Sequence, residues 1–405
     1  MNIFILLIIA FSLIVFLLRK KIPIGPSILA GGLLMWAVQS MDPTNLLDAA
    51  LTTIKRPRTY DLLFALYFVM CLEIELRTSG TLNGMVQALK KLFSSNKYTL
   101  AIMPAFLGLL PSLGGARFSA PFVEEASKGV EMIPYQKSNV NFWFRHVFEY
   151  SNPINPGLIM ACSIAMIPIS DFIIHLGWLT FVSIILGWVF FIRPLKVIEE
   201  KEISLDDTTF KKSILDVLIS LSPVFVNFIL VVFFKIGPAI AMGLVVFAMF
   251  IALKLLKRPI SGKEVIIGAM DWKLLANVSC IFYFIELLTN THVLKEIVVA
   301  FQGLPLPPEV TIAAISFIIG IITGMSQGHV AIVFPIVAAM APGDINLMGI
   351  AMVFGVAGQM LTPTHMCLMI TVAYFKSSLF KTIKSVGYME ALILLIFSIY
   401  TYFSY

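Results

Sequence analysis

The sequence predicts an all-α polytopic membrane protein of two inverted repeats, about five spans each, with a re-entrant helical hairpin and a broken helix per repeat. Three observations carry this. Of 405 residues, 59% are hydrophobic and 13% charged, with a mean hydropathy of +0.94, whereas soluble domains carry about 25% charged residues. Glycine- and proline-rich breaks interrupt apolar sequence at Leu107–Pro121 (LGLLPSLGGARFSAP) and Ile319–Phe334 (IGIITGMSQGHVAIVF). The features around these breaks also recur at a nearly constant spacing.

Taken in order, the first spans are residues 2–18, 24–40 and 60–77, close to the roughly 20 residues a helix needs to cross a bilayer. Residues 2–18 imitate a signal peptide. The basic Arg19-Lys20-Lys21 follows the apolar run, however, and no small-residue cleavage site is visible, so a retained first helix is expected. An amphipathic stretch at 81–96 carries Lys90 and Lys91. Residues 98–134 hold the first break, with arms too short or too polar to cross alone, and read as a re-entrant hairpin. Residues 138–169 form a span broken at Ser151-Asn152-Pro153-Ile154-Asn155-Pro156, and 172–192 closes the first repeat (1–192). The linker 193–212 (RPLKVIEEKEISLDDTTFKK) is polar and expected at the cytoplasmic surface. The second repeat, 213–405, has its hairpin at about 309–342 and its broken helix at about 345–376.

Ile24-Gly25-Pro26 recurs as Ile236-Gly237-Pro238, Gly31 as Gly243, and Leu62-Leu63 as Leu274-Leu275, all at an offset of 212. Leu107-Gly108 recurs as Ile319-Gly320 at that same offset, and His329 falls where Arg117 was. At an offset of 210, Glu149-Tyr150-Ser151-Asn152-Pro153 aligns with Gln359-Met360-Leu361-Thr362-Pro363. Five crossings per repeat is an odd number, which inverts the second. With both termini outside, 22 of the 29 Lys and Arg fall on the cytoplasmic side, 5 outside, and 2 (Arg117 and Arg145) within the membrane, as the positive-inside rule requires. The first hairpin then enters from the cytoplasm and the second from outside, with their tips near the midplane of a multi-pass protein of the plasma membrane.

Broken backbone at membrane depth must line a cavity or pack on protein, and paired breaks in corresponding halves point to a binding site. The expected substrate groups are Ser112, Gly114, Gly115 and Arg117 at the first tip, Ser326, Gln327, Gly328 and His329 at the second, and Asn152, Asn155, Thr362 and Thr364 on the broken helices. Arg145 and Glu149, spaced i,i+4, can neutralise one another. With His146, Gln359 and His365 they form the expected coupling group, where Glu149 or a histidine takes a proton. Two arginines against one glutamate favour an anionic solute.

Glu73, Glu75 and Glu286 sit near the ends of the third spans, where a shared structural role fits better than substrate contact. Asp171, His175 and His292 lie at span ends. Cys71, Cys162, Cys280 and Cys367 lack metal-ligand spacing and read as small buried hydrophobes. No metal centre and no cofactor is expected, and the net charge of +6 is absorbed by membrane topology, without nucleic acid. Gly324-Met325-Ser326-Gln327-Gly328 matches G-x-S-x-G, but that elbow needs a strand-to-helix turn which helical sequence cannot supply. An intramembrane serine hydrolase using Ser326 is therefore the alternative, beside an ion channel.

The blocks LPSLGGARFSAPFVEEA (110–126), FRHVFEYSNPINPG (144–157) and TGMSQGHVAIVFP (323–335) resemble the integral membrane family labelled domain of unknown function 401. The paired hairpins and broken helices are similar to the ion transporter superfamily of dicarboxylate, gluconate and arsenite carriers. The resemblance implies elevator-type alternating access and a homodimer, and so a secondary transporter of a small anion coupled to H⁺ or Na⁺. Sodium-coupled dicarboxylate relatives carry Ser-Asn-Thr at each tip. These tips differ, so Na⁺ could be held only by scattered oxygens near Ser112, Asn152, Ser326 and Thr362.

Overall fold

The computed structural model describes residues 2–404 except 83, 86, 87, 89–95, 110–114 and 199–206, and describes backbone alone at 96, 115, 117, 118 and 207–213. The described chain is helical: α1 (Ile3–Arg19), α2 (Ile24–Gln39), α3 (Pro43–Lys55), α4 (Pro57–Thr78), α5 (Asn96–Leu109), α6 (Gly115–Ala126), α7 (Pro134–His146), α8 (Pro156–Ala165), α9 (Ile169–Leu176) and α10 (Trp178–Gly187) lead to the linker. After it come α11 (Asp207–Phe228), α12 (Pro238–Leu255), α13 (Gly262–Gly268), α14 (Trp272–Asn290), α15 (Val293–Gln302), α16 (Pro308–Thr323), α17 (Ser326–Met340), α18 (Ile345–Met360), α19 (Met366–Tyr374) and α20 (Leu379–Ser404). Among the described residues the β-type pairing is one isolated bridge, Val130 to Val197.

Proline sets many of the starts. Pro43, Pro57, Pro134, Pro156, Pro238 and Pro308 each stand in the first turn of a helix, where the missing N–H costs nothing and the fixed φ suits the helix. Among the described residues four helices are long and apolar enough to cross a bilayer alone: Ile214–Phe233, Pro238–Leu255, Trp272–Asn290 and Leu379–Ser404. Several shorter apolar helices accompany them. The chain is a multi-pass membrane protein.

Three elements differ from the sequence reading. α3 fills residues left there as a connection. Its signal was present in Asp42-Pro43-Thr44, since Asp42 Oδ1 accepts the Thr44 N–H at 2.9 Å and Pro43 follows. The expected helix 172–192 is two pieces, α9 and α10 parted at Gly177, the second ending in a π-turn at Trp188–Ile192. The broken helix does not run on to 169 either. Met166 takes a left-handed conformation (φ 56°) and Pro168 follows, so α9 leaves α8 at 115°. Of the two stretches whose character was read from charge, 81–96 and the linker lie partly outside the described residues.

Two sets of helices pack chiefly among themselves and meet where α4 lies on α8 and α15 on α17. α2 packs on α14 and α4 on α12, each pairing one helix from either side of the linker. The Gly25 N–H donates to Asn277 Oδ1 at 3.0 Å, and a side chain at Gly25 would collide with the Asn277 backbone. Glu286 of α14 takes Arg58 at 2.8 Å and Arg56 at 3.0 Å. Glu73 instead pairs with Arg77 at 3.1 Å, while Glu75 is fully buried with neither oxygen partnered among the described residues. The second group comprises α5 to α8 and α16 to α20, packed around Phe142, Phe144, Tyr150 and Phe334, all buried.

Candidate functional site

α16 and α17 form a tight hairpin, since only Gly324 and Met325 separate them. Gly324 has φ +64°, and a Cβ there would lie 2.3 Å from Thr364 Oγ1. Both the left-handed backbone and the close approach demand glycine. α5 and α6 flank the corresponding first tip. Ser112 and Gly114 lie outside the described residues, and for Gly115 and Arg117 the backbone alone is placed, in the first turn of α6.

Each hairpin's first arm crosses the first arm of a broken helix through a glycine. A Cβ at Gly108 would meet the Arg145 carbonyl oxygen at 2.2 Å, and one at Gly320 would meet the Gly355 oxygen at 2.2 Å. These pairs stand 212 and 210 residues apart, the offsets of the sequence repeat. The second arms also cross: α17 packs on α8, and α6 on α19. At the first of these contacts Ser326 Oγ lies 2.5 Å from where a Gly157 Cβ would stand. The N-terminal ends of α8 and α17 therefore meet.

Helix ends leave carbonyls that need donors, and the site residues supply them. Arg145 Nη1 donates to the Leu107 oxygen at 3.3 Å and Asn152 Nδ2 to the Leu109 oxygen at 3.1 Å, both at the end of α5. In the second half Thr364 Oγ1 reaches the Ile321 oxygen at 3.5 Å and shares a 2.9 Å contact with Thr362 Oγ1. Asn155 caps α8, accepting the Gly157 N–H at 2.8 Å and donating to Glu149 Oε2 at 3.0 Å.

The i,i+4 relation of Arg145 and Glu149 does not become a direct ion pair among the described residues, because α7 ends at His146 and Glu149 leaves its face. Gln359, the repeat partner of Glu149, is buried and lies in hydrogen-bonding reach of that carboxylate. His329 turns away from the tip. It is wholly buried with its ring against Gly355, and both nitrogens lack partners among the described residues. Ser326 and Gln327 are half-buried at the tip, with Gly328 packed against Thr323.

The two remaining histidines meet across the broken helices. His146 Nδ1 lies 2.7 Å from the Phe142 oxygen, His365 Nδ1 lies 3.0 Å from the Gln359 oxygen, and their Nε2 atoms face each other at 3.1 Å. Cys367 Sγ and one ring nitrogen of each histidine lie within 4.8 Å of one another, a proximity that linear spacing did not reveal. Sequence reading also missed Glu390. It lies on α20, beyond both breaks, and is buried with Oε2 unpartnered among the described residues.

Two comparisons bear on this architecture. Residues 3–403 match the family model described as protein of unknown function (DUF401), and the chain belongs to that family. Its fold is similar to the crystal structure of the YdaH transporter of Alcanivorax borkumensis, described as having an unusual topology. The TM-score is 0.54 at 14% identity, covering 84% of this chain and 83% of that one. None of the curated proteins matches the sequence.

Proposed function

We propose that this member of the DUF401 family is a secondary transporter of a small anionic solute, coupled to H⁺ or Na⁺. The observation that carries the reading is the meeting of the α8 and α17 N-terminal ends at Gly157 and Ser326. A helix N-terminus presents free N–H groups and a partial positive charge, so two that converge favour an anion. Arg145 adds a full charge on the neighbouring turn, and Ser326, Gln327, Asn155 and Thr364 offer hydrogen bonds. The glycine contacts recurring at 212 and 210 support two inverted halves. The segregation of α2, α4, α12 and α14 from the hairpins supports one group carrying the site past the other, as in an elevator. The transporter likeness of the fold agrees with this reading.

A serine hydrolase fits less well, because no histidine is hydrogen-bonded to Ser326 among the described residues. The test is counterflow in liposomes. Purified protein should exchange a radiolabelled mono- or dicarboxylate against the same anion inside, and should concentrate it when a proton or sodium gradient is imposed. Exchange of none of a panel of carboxylates and inorganic oxyanions would sink the proposal. Flux that rises without saturation would replace the carrier with a channel.

A further inference from the structure

The His146–His365 contact has an electronic peculiarity. A backbone carbonyl only accepts, so each Nδ1 near one must carry its ring's hydrogen. In the neutral rings both Nε2 atoms then hold lone pairs, pointed at each other at 3.1 Å. Nothing is donated between them until a cation enters. One proton converts the repulsion into an N–H···N hydrogen bond of ordinary length.

A second observation is independent of the first. His146 lines a small cavity with Trp143, Tyr150, Ser183, Met360 and Glu390. It offers about 10 Å³ to a water centre, roughly the space of one water molecule. Tyr150 Oη and Glu390 Oε2 are both buried there without partners among the described residues, and buried polar atoms of this kind are rare unless water or a role accounts for them. The ionisable groups around the pair are Arg145 and Glu149 on its own segment, Cys367 from α19 and Glu390 from α20. α5 and α6 bring Lys97, Tyr98, Glu124 and Glu125. Glu124 is tied to Lys137 and Lys97 to the Arg193 oxygen, away from the pair.

We infer that the His146–His365 pair and Glu390 form one proton-carrying chain, bridged by a single water in the Tyr150 cavity. The inference rests on the transporter reading and names its coupling ion as the proton. When the proton leaves the Glu390 carboxyl, the water passes it to the histidine pair. A carboxylate remains, to which Tyr150 Oη can donate, and an imidazolium shared between the broken helices of the two halves. A soft metal ion is the rival occupant of the pair. That metal would need Cys367 as its third donor, which is within hydrogen-bonding reach of Arg145, whereas one proton needs only the two facing Nε2 atoms.

The test is pH-difference infrared spectroscopy of the full chain in nanodiscs, with H⁺ itself as the probe. A carboxylic-acid carbonyl band that is absent from Glu390→Gln, and imidazole bands of one shared proton that are absent from His365→Gln, are expected. Glu390→Asp should restore a shifted carbonyl band, and covers the case in which the glutamine variant folds poorly. A spectrum unaltered by Glu390→Gln, or one zinc or copper per chain that is lost in Cys367→Ser, would overturn the inference. The spectra need no solute, so a protonated chain in a protein that exchanges no anion would sink the transport reading alone.

Discussion

The two broken helices share a skeleton and differ in chemistry. Each receives a hairpin arm through glycine, Gly108 on Arg145 and Gly320 on Gly355, and each supplies side-chain donors to the carbonyls at that arm's end. Yet the first carries Arg145, Glu149, Asn152 and Asn155, and the second carries Gly355, Gln359, Thr362 and His365 at matching positions. Backbone contacts repeat because two helices at that separation tolerate nothing larger than a hydrogen. Side chains are free to diverge once those contacts are kept. Under the proposed function the asymmetry carries the chemistry and the symmetry the folding, and the two can be attacked separately.

The largest effect should come from the shared part. Gly108→Val and Gly320→Val each force a side chain into a backbone carbonyl 2.2 Å away, where no flexible neighbour can yield, so the cost exceeds the roughly 1–3 kcal/mol of ordinary overpacking and should prevent folding. Both should lose the monodisperse peak in fluorescence-detected size-exclusion chromatography, and loss in only one would break the equivalence. Next comes the asymmetric part. Gln359→Glu sets a second carboxylate beside Glu149, an uncompensated buried charge that costs about 3–5 kcal/mol. Adding Glu149→Gln should recover most of the lost thermal stability, because the swap moves the charge without adding one. A double variant as unstable as Gln359→Glu alone would show that the two positions are not interchangeable.

Smaller still is the capping. Asn152→Ala leaves the Leu109 carbonyl without its donor and should cost about 1–3 kcal/mol. Thr364→Ala, whose bond to Ile321 is long at 3.5 Å, should cost under about 1 kcal/mol. Reversed magnitudes in thermal melts would place the tighter end on the second hairpin. The smallest change is Gly262→Ala, outside both breaks, where a Cβ meets Phe250 no closer than 3.4 Å. A helix prefers alanine by about 1 kcal/mol, so the melting temperature should hold or rise slightly.

The legible features were those written in local sequence. Proline starts, glycine breaks and the low charge content point to membrane helices, and the repeat offset marks Gly108 and Gly320 as equivalents before any coordinates. α3 was legible too, in Asp42-Pro43, but its exposed connection drew no attention. What stayed hidden depends on direction and on distant chain. Nothing local says that His329 turns back onto Gly355, or that the helix stops at His146 and separates Arg145 from Glu149. Cys367 and Glu390 read as one small apolar-flanked residue and one acid in a late helix. Only packing brings the former within 4.8 Å of His146 and His365, and the latter into a cavity beside Tyr150.

The pairing of Gly25 with Asn277 has a consequence for how the protein is made. The two residues are 252 positions apart, and a ribosome adding about 5–20 residues per second needs roughly 13–50 s to pass from one to the other. For that interval α2 sits in the bilayer with its glycine face uncovered and α4 lacks α12. Neither half can finish its own core, so assembly waits on the last third of translation. A ribosome that stalls between the halves would leave the quality-control machinery a set of inserted but unmatched helices.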